Sequence, residues 1–291
     1  MDYFISIAIL ILIFIILTQS YNLVLGYTGM IHVGHIAFMA IGAYTSALIT
    51  IAGMPFWFGA LSGIVVAGFV GLMLALPTVR FRDDYIVAAT LGMGEIIRLI
   101  ILNERALTGG STGLTKIARP TFFGIILNNN ASLFIFVLVM ALASLALVWR
   151  TVHSPFGKVL ESIREDEIAS QSLGNNTQAT KVKVLVIASM LAGLSGVLYA
   201  HATQFIDPPT FGITRMTFVL LIVMFGGIGN FWGPIVGTAA LMILVESIRF
   251  LPLPDQILGA LRWIIYASVL IVVIILKPKG IMGEKSVRKK L

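Results

Sequence analysis

The sequence predicts an all-α, polytopic membrane bundle of about nine transmembrane helices, with eight to ten as the range. Three observations predict it: the composition, the spacing of the apolar runs and the sidedness of the charge. Of 291 residues, 58% are hydrophobic and only 11% are charged, with mean hydropathy +0.99. Soluble domains carry about 25% charged residues. A water-soluble fold could not hide so much apolar surface, so lipid must be the solvent for much of it. The 28 glycines suit close helix packing in a membrane. No polar stretch is long enough to bury a core of its own, so residues 1–291 read as one membrane domain.

The apolar segments fall at 3–25, 32–52, 57–79, 85–103, 131–150, 183–203, 214–229, 233–251 and 258–277. Most approach the ~20 residues that a spanning helix needs. The first begins after Met1-Asp2-Tyr3, with no positive leader and no small-residue cleavage site, and is expected to be a retained helix. Segment 214–229 is short and runs into Gly226-Gly227-Ile228-Gly229, which predicts a half-helix or a kinked span. With nine crossings, most of the 20 Lys and Arg gather on one side. That side is then cytoplasmic, with the N-terminus outside and the C-terminus inside. The net charge of +7 thus reports topology; no basic stripe with interleaved aromatics suggests nucleic acid.

The segment 151–182 is the longest polar interruption placed inside. Ser154-Pro155 is a helix start, with Ser at the cap and Pro in the first turn. Phe156, Val159, Leu160 and Ile163 follow at helical spacing. After the charged cluster Arg164-Glu165-Asp166-Glu167 comes a second short apolar set, Ile168, Ala169 and Leu173, ending at Gly174, a natural C′ residue. Two short helices joined near 164–166 are expected. A solvated linker is the plainer alternative, but two capped helices with apolar faces fit a surface that docks into a partner's groove.

Other candidates are weaker. Gly229, Gly233 and Gly237 form overlapping small-xxx-small patterns, which serve packing or a broken helix. Glu95 and Arg98 share a helix face inside a span, where charges are costly and face a cavity or each other. Glu246 and Arg249 repeat that spacing. His32 and His35 lack a third ligand nearby, so no metal site is expected. With zero Cys, disulfides and thiolate sites are excluded. There is no phosphate-binding glycine loop, and no catalytic site is expected. If ATP drives this protein, another polypeptide binds it.

Several blocks in order resemble the LivM-type permease subunits of branched-chain amino acid ABC importers. They are Asn22-Leu23-Val24-Leu25-Gly26-Tyr27-Thr28-Gly29, Gly34-His35-Ile36-Ala37-Phe38, Thr90-Leu91-Gly92 with Glu95-Ile96-Ile97-Arg98, Leu107-Thr108-Gly109-Gly110-Ser111-Thr112-Gly113-Leu114, Arg164-Glu165-Asp166-Glu167-Ile168-Ala169, and Gly226-Gly227-Ile228-Gly229-Asn230-Phe231-Trp232-Gly233-Pro234. The resemblance covers nearly the whole chain. It implies a cell-membrane subunit paired with a second, related permease. It also implies two ATP-binding subunits, which would carry ATP and Mg, and an extracytoplasmic substrate-binding protein. This chain itself would bind no cofactor. Phe156, Leu160, Arg164, Glu165, Asp166, Glu167, Ile168 and Gly174 would couple it to the ATPases. Gly26, Gly29, Gly34, His35 and Phe38, with Glu95, Gly226, Gly227, Gly229 and Gly233, are the candidates for the translocation path. Permeases for urea look similar, so leucine, isoleucine and valine share the field with short amides and other amino acids. A stand-alone secondary transporter is a further reading.

Overall fold

The computed structural model describes residues 2–79, 81, 83–122, 125–127, 129–247 and 280–282, with a few isolated positions between 261 and 275. Its helices are α1 (Asp2–Thr28), α2 (His35–Ile51), α3 (Phe56–Thr78), α4 (Asp83–Asn103), α5 (Arg105–Thr108), α6 (Asn130–Val152), α7 (Pro155–Glu165), α8 (Glu167–Ser172), α9 (Thr177–Thr203), α10 (Ile213–Gly226) and α11 (Trp232–Ser247). Five of these, α1, α3, α4, α6 and α9, are long and apolar enough to cross a membrane, and α2, α10 and α11 are shorter apolar helices. Each of the first eight expected segments therefore coincides with a helix. Most of the ninth, 258–277, lies outside the described residues. The bundle also carries a minimal hairpin, with β1 (Thr121–Phe122) antiparallel to β2 (Ile125–Ile126), an addition to the all-α expectation.

Two ends of the bundle can be told apart. At the elbow end, α7 and α8 lie near the last turn of α1 and the break between α10 and α11. Ile281 and Met282 return there, donating backbone bonds to Phe225 and Gly226 at 2.8 and 2.9 Å. At the far end the Tyr3 hydroxyl bonds Glu246. The chain thus starts at one end, and residues 280–282 lie at the other.

The centre is built on α1, α2, α3 and α9, whose backbones approach closely. A Cβ placed on Gly42 would fall 2.2 Å from the Gly193 carbonyl oxygen, and one on Gly196 would fall 1.9 Å from that of Met39. Glycine here lets α2 and α9 touch main chain to main chain, the packing mode that lipid favours because it gives no hydrophobic drive between helices. At the far end His201 joins three elements. Its Nδ1 donates to the Ala118 carbonyl at 2.6 Å, so Nε2 accepts from the Ser46 hydroxyl at 2.8 Å.

Gly29, at φ +76°, ends α1 in the left-handed conformation that glycine takes without strain. The chain then climbs back before α2 starts. His35 Nε2 meets Ser20 Oγ at 2.9 Å, about 12 Å up α1 from its last residue at 1.5 Å per residue. His32 lies in the connection before α2, and His35 is the first residue of that helix. The short segment 214–229 resolves as a 14-residue helix, α10, followed by a tight break and then α11.

Candidate functional site

The elbow end carries the first candidate region. Ser154 caps α7, with Gly157 N–H donating to its hydroxyl at 3.4 Å, and Pro155 opens the helix. Asp166 caps α8, accepting from Ala169 N–H at 2.9 Å. Gly174 has φ +86°, as a C′ residue requires. Ser162 and Ser170 hydroxyls meet at 2.9 Å and close the angle between the helices. Lys181, buried on α9, bonds Glu167 at 2.6 Å. The two helices thus form a braced elbow.

The elbow residues divide by direction. Leu160 is fully buried and Phe156 packs on the core, so both anchor α7 to the bundle. Ile168 and Leu173 are 77% and 81% exposed, and Arg164, Glu165 and Asp166 are exposed beside them. Glu167 is turned inward by Lys181. The outward surface is therefore smaller than the sequence pattern suggested, and it includes Leu173. Lys181 was missed; the signal was Lys181 and Lys183 in the first turns of an otherwise apolar helix.

Behind the elbow lies a glycine knot. Buried Thr18, Gln19 and Asn22 run along α1. Asn22 accepts from Gly229 N–H at 3.0 Å and donates to the Asn230 carbonyl at 3.0 Å. Gln19 donates to the Phe231 carbonyl, and Thr18 meets Thr238 at 2.9 Å. Gly26 sits against Gly229, Gly226 against Gly233, and Arg164 lies over Gly29 and Gly229. The polar stripe was missed as such, although buried amide side chains at helical spacing in an apolar helix are its signal.

The second region is a cleft of about 190 Å³ lined by Val33, Gly34, Ile36, Leu91, Gly94, Glu95, Phe211 and Ile213. Gly34 lies against the Thr90 carbonyl, which brings the start of α2 to the middle of α4. Arg98 Nε donates to both Glu95 oxygens at 2.9 Å, and Nη2 adds a third bond at 2.5 Å. An i,i+3 pair of this kind stabilises a helix by only about 0.2–0.5 kcal/mol. Holding either charge at mid-membrane costs about 2.5–3.5 kcal/mol on insertion scales. Helix stability therefore does not account for the pair. The expected Glu246–Arg249 pair cannot be described, since Arg249 lies outside the described residues; Glu246 bonds Tyr3.

The structure thus splits the path candidates. Gly34 and Glu95 line the cleft, with His35 and Phe38 packed behind it around His32. Gly26, Gly29, Gly226, Gly227, Gly229 and Gly233 form the knot at the elbow end. Among the described residues no group of three His, Asp or Glu gathers to hold a metal.

These features define a multi-pass helical membrane protein with a braced elbow at one end. The sequence matches the family model for the branched-chain amino acid transport system / permease component over residues 3–276, and the chain belongs to this family. It is 32% identical to the high-affinity branched-chain amino acid transport system permease protein LivM of Escherichia coli, covering 99% of this chain and 72% of that one. It is 26% identical to the corresponding permease protein LivH of Salmonella typhimurium, over 93% of this chain and 91% of the relative. It is 27% identical to the nucleoside ABC transporter permease protein NupC of Lactococcus lactis over 60% of this chain and 59% of the relative. No solved structure matches.

Proposed function

We propose that this chain is one permease subunit of an ATP-driven importer of leucine, isoleucine and valine, fed by an extracytoplasmic binding protein. The observation that carries the reading is the elbow. Two large apolar side chains, Ile168 and Leu173, stand in solvent on a framework capped at both helix starts and tied to α9 by Lys181. Exposed apolar groups on a rigid mount are what a partner groove takes up. In this reading the elbow is cytoplasmic, and it docks into an ATPase subunit that binds ATP and Mg. The N-terminus is outside and the C-terminus inside. A second, related permease completes the pore; similarity to both LivM and LivH supports this.

Transport then proceeds by alternating access. ATP binding moves the ATPases, the elbow follows, and the α10–α11 break and the end of α1 receive the motion through the glycine knot. A bundle with two packings shifts between outward and inward forms. The likeness to a nucleoside permease favours a second reading of the cargo.

The test is to purify the complex through this chain, reconstitute it in liposomes with its binding protein, and measure ATP-dependent uptake. Leucine, isoleucine, valine, urea and a nucleoside compete. Uptake of the three branched amino acids is expected. Selective uptake of urea or the nucleoside overturns the cargo. Uptake by the chain alone without ATP identifies a secondary transporter instead.

A further inference from the structure

We infer that the cleft where α2 and α10 begin against the middle of α4 is a transient subsite for an α-amino acid zwitterion with a branched aliphatic side chain. Arg98 takes the carboxylate and Glu95 the ammonium. The inference rests on the permease reading above and names the place where cargo pauses in this chain.

The pair has capacity to spare. An arginine presents five N–H donors, and a carboxylate accepts at about four positions. Glu95 engages Nε and Nη2 of Arg98, and Nη1 meets no acceptor among the described residues. Both side chains are partly open, at 23% for Arg98 and 45% for Glu95. A zwitterion brings one charge of each sign. It can insert between the partners and turn one ion pair into two, with no change in net charge. That matters at this depth, because a charge leaving water needs a partner waiting for it.

The walls fit the rest of the molecule. Val33, Ile36, Leu91, Phe211 and Ile213 face the same cleft, an apolar lining for an aliphatic side chain. Size sets a further limit. At about 190 Å³ the cleft far exceeds the ~10–15 Å³ that holds one water, and it falls below the ~300 Å³ where drug-sized pockets begin. A small solute suits it.

Position points the same way. Glu95 lies about 12 Å from the far end of α4 at 1.5 Å per residue, near the middle of a ~30 Å hydrocarbon core. Arg98 Cδ would stand 3.9 Å from a Cβ on Gly212, so the guanidinium sits beside the start of α10. Neither α2 nor α10 has a side-chain cap on its first turn. Two interrupted helices starting at mid-depth beside a charged pair is how transporters build cargo sites.

The chain has no Cys, so Leu91→Cys, 40% exposed in the cleft wall, reports the site directly. The complete complex in liposomes, with binding protein and ATP, is reacted with N-ethylmaleimide, and modification of this chain is read by peptide mass. Leucine is expected to slow labelling about threefold or more, as for a site mostly occupied, and glutamate is expected to leave it unchanged. Adding Glu95→Gln or Arg98→Gln is expected to abolish the protection. The swapped pair, Glu95→Arg with Arg98→Glu, keeps a salt bridge but reverses the anchors, and it is expected to raise the KM for leucine uptake. Liposomes that import leucine with no protection of Cys at 91 overturn the subsite while leaving the permease reading intact. So does protection that survives both neutral variants, or a wild-type KM in the swap. Liposomes that import none of the branched amino acids overturn both.

Discussion

Lys181 Nζ lies 2.6 Å from Glu167 Oε2, and the two partners differ in their access to water: the Lys side chain is 6% exposed and the Glu side chain 35%. The asymmetry sets which partner can be lost. In Lys181→Met, Glu167 turns outward and hydrates. In Glu167→Gln, a buried ammonium loses its counter-charge. Bonds to charged groups contribute about 1.5–3 kcal/mol, and an unpaired buried charge costs more. Glu167→Gln is therefore expected to lower the thermal midpoint of the purified complex more than Lys181→Met. The reverse order would mean that Lys181 is hydrated in the assembled protein.

The exposed tip of the elbow separates docking from folding. Replacing Ile168 and Leu173 by Asp touches no buried contact, so yield and melting are expected to stay at wild-type values. Fully burying each such side chain is worth about 1.5–3 kcal/mol. ATPase recovered with the permease after washing is expected to fall more than about tenfold, the equivalent of ~1.4 kcal/mol. Undiminished recovery would remove the elbow from the interface.

Asn22 is expected to be the most sensitive member of the α1 stripe. Asn22→Leu deprives both Gly229 N–H and the Asn230 carbonyl of their partner; a fully buried group left unmet costs about 1–3 kcal/mol, and these two are part-buried, so each is expected to cost toward the lower end of that range. Detergent melting curves should show the loss. Uptake should fall further than stability alone explains, since the break between α10 and α11 loses its tether. Equal losses in both would make Asn22 a packing residue only.

Two glycines give opposite expectations. Gly42→Ala drives a methyl into the Gly193 backbone, at 2.2 Å from its oxygen, and overpacking of this kind costs about 1–3 kcal/mol. Gly92, inside α4, has nothing within 4 Å of its would-be Cβ. Gly92→Ala should be neutral, or stabilising by up to about 1 kcal/mol through helix propensity. Fluorescence-detected size exclusion after a heat step ranks them.

The sequence made some of this legible because the determining contacts are local. Ser154 and Asp166 cap helices that start at the next residue, so both elbow helices could be read from their signals. The weak run before Gly226 announced the break after α10. Glu95 and Arg98 could be paired because three residues on a helix bring them together. What could not be read depends on contacts distant in sequence. Leu160 and Ile168 are both apolar, and only the lie of the elbow against α1 and α9 sends one inward and the other out. Lys181 looked like a topology charge until α8 folded back to it. The expected segment at 32–52 opens three residues before α2, and the gathering of Val33, Leu91 and Ile213 at one cleft was invisible.

The main-chain contact between α2 and α9 has a mechanical consequence. Side chains can change rotamer and so give compliance to an interface. At Gly42 and Gly196 there are none, and the carbonyls of Gly193 and Met39 fill the space. Sliding one helix past the other would raise steric energy within a fraction of an ångström. His201 ties this rigid pair to the loop at Ala118. Under the proposed transport cycle, α2 and α9 would be the stator, and a stroke delivered through the elbow would fall on helices outside that pair.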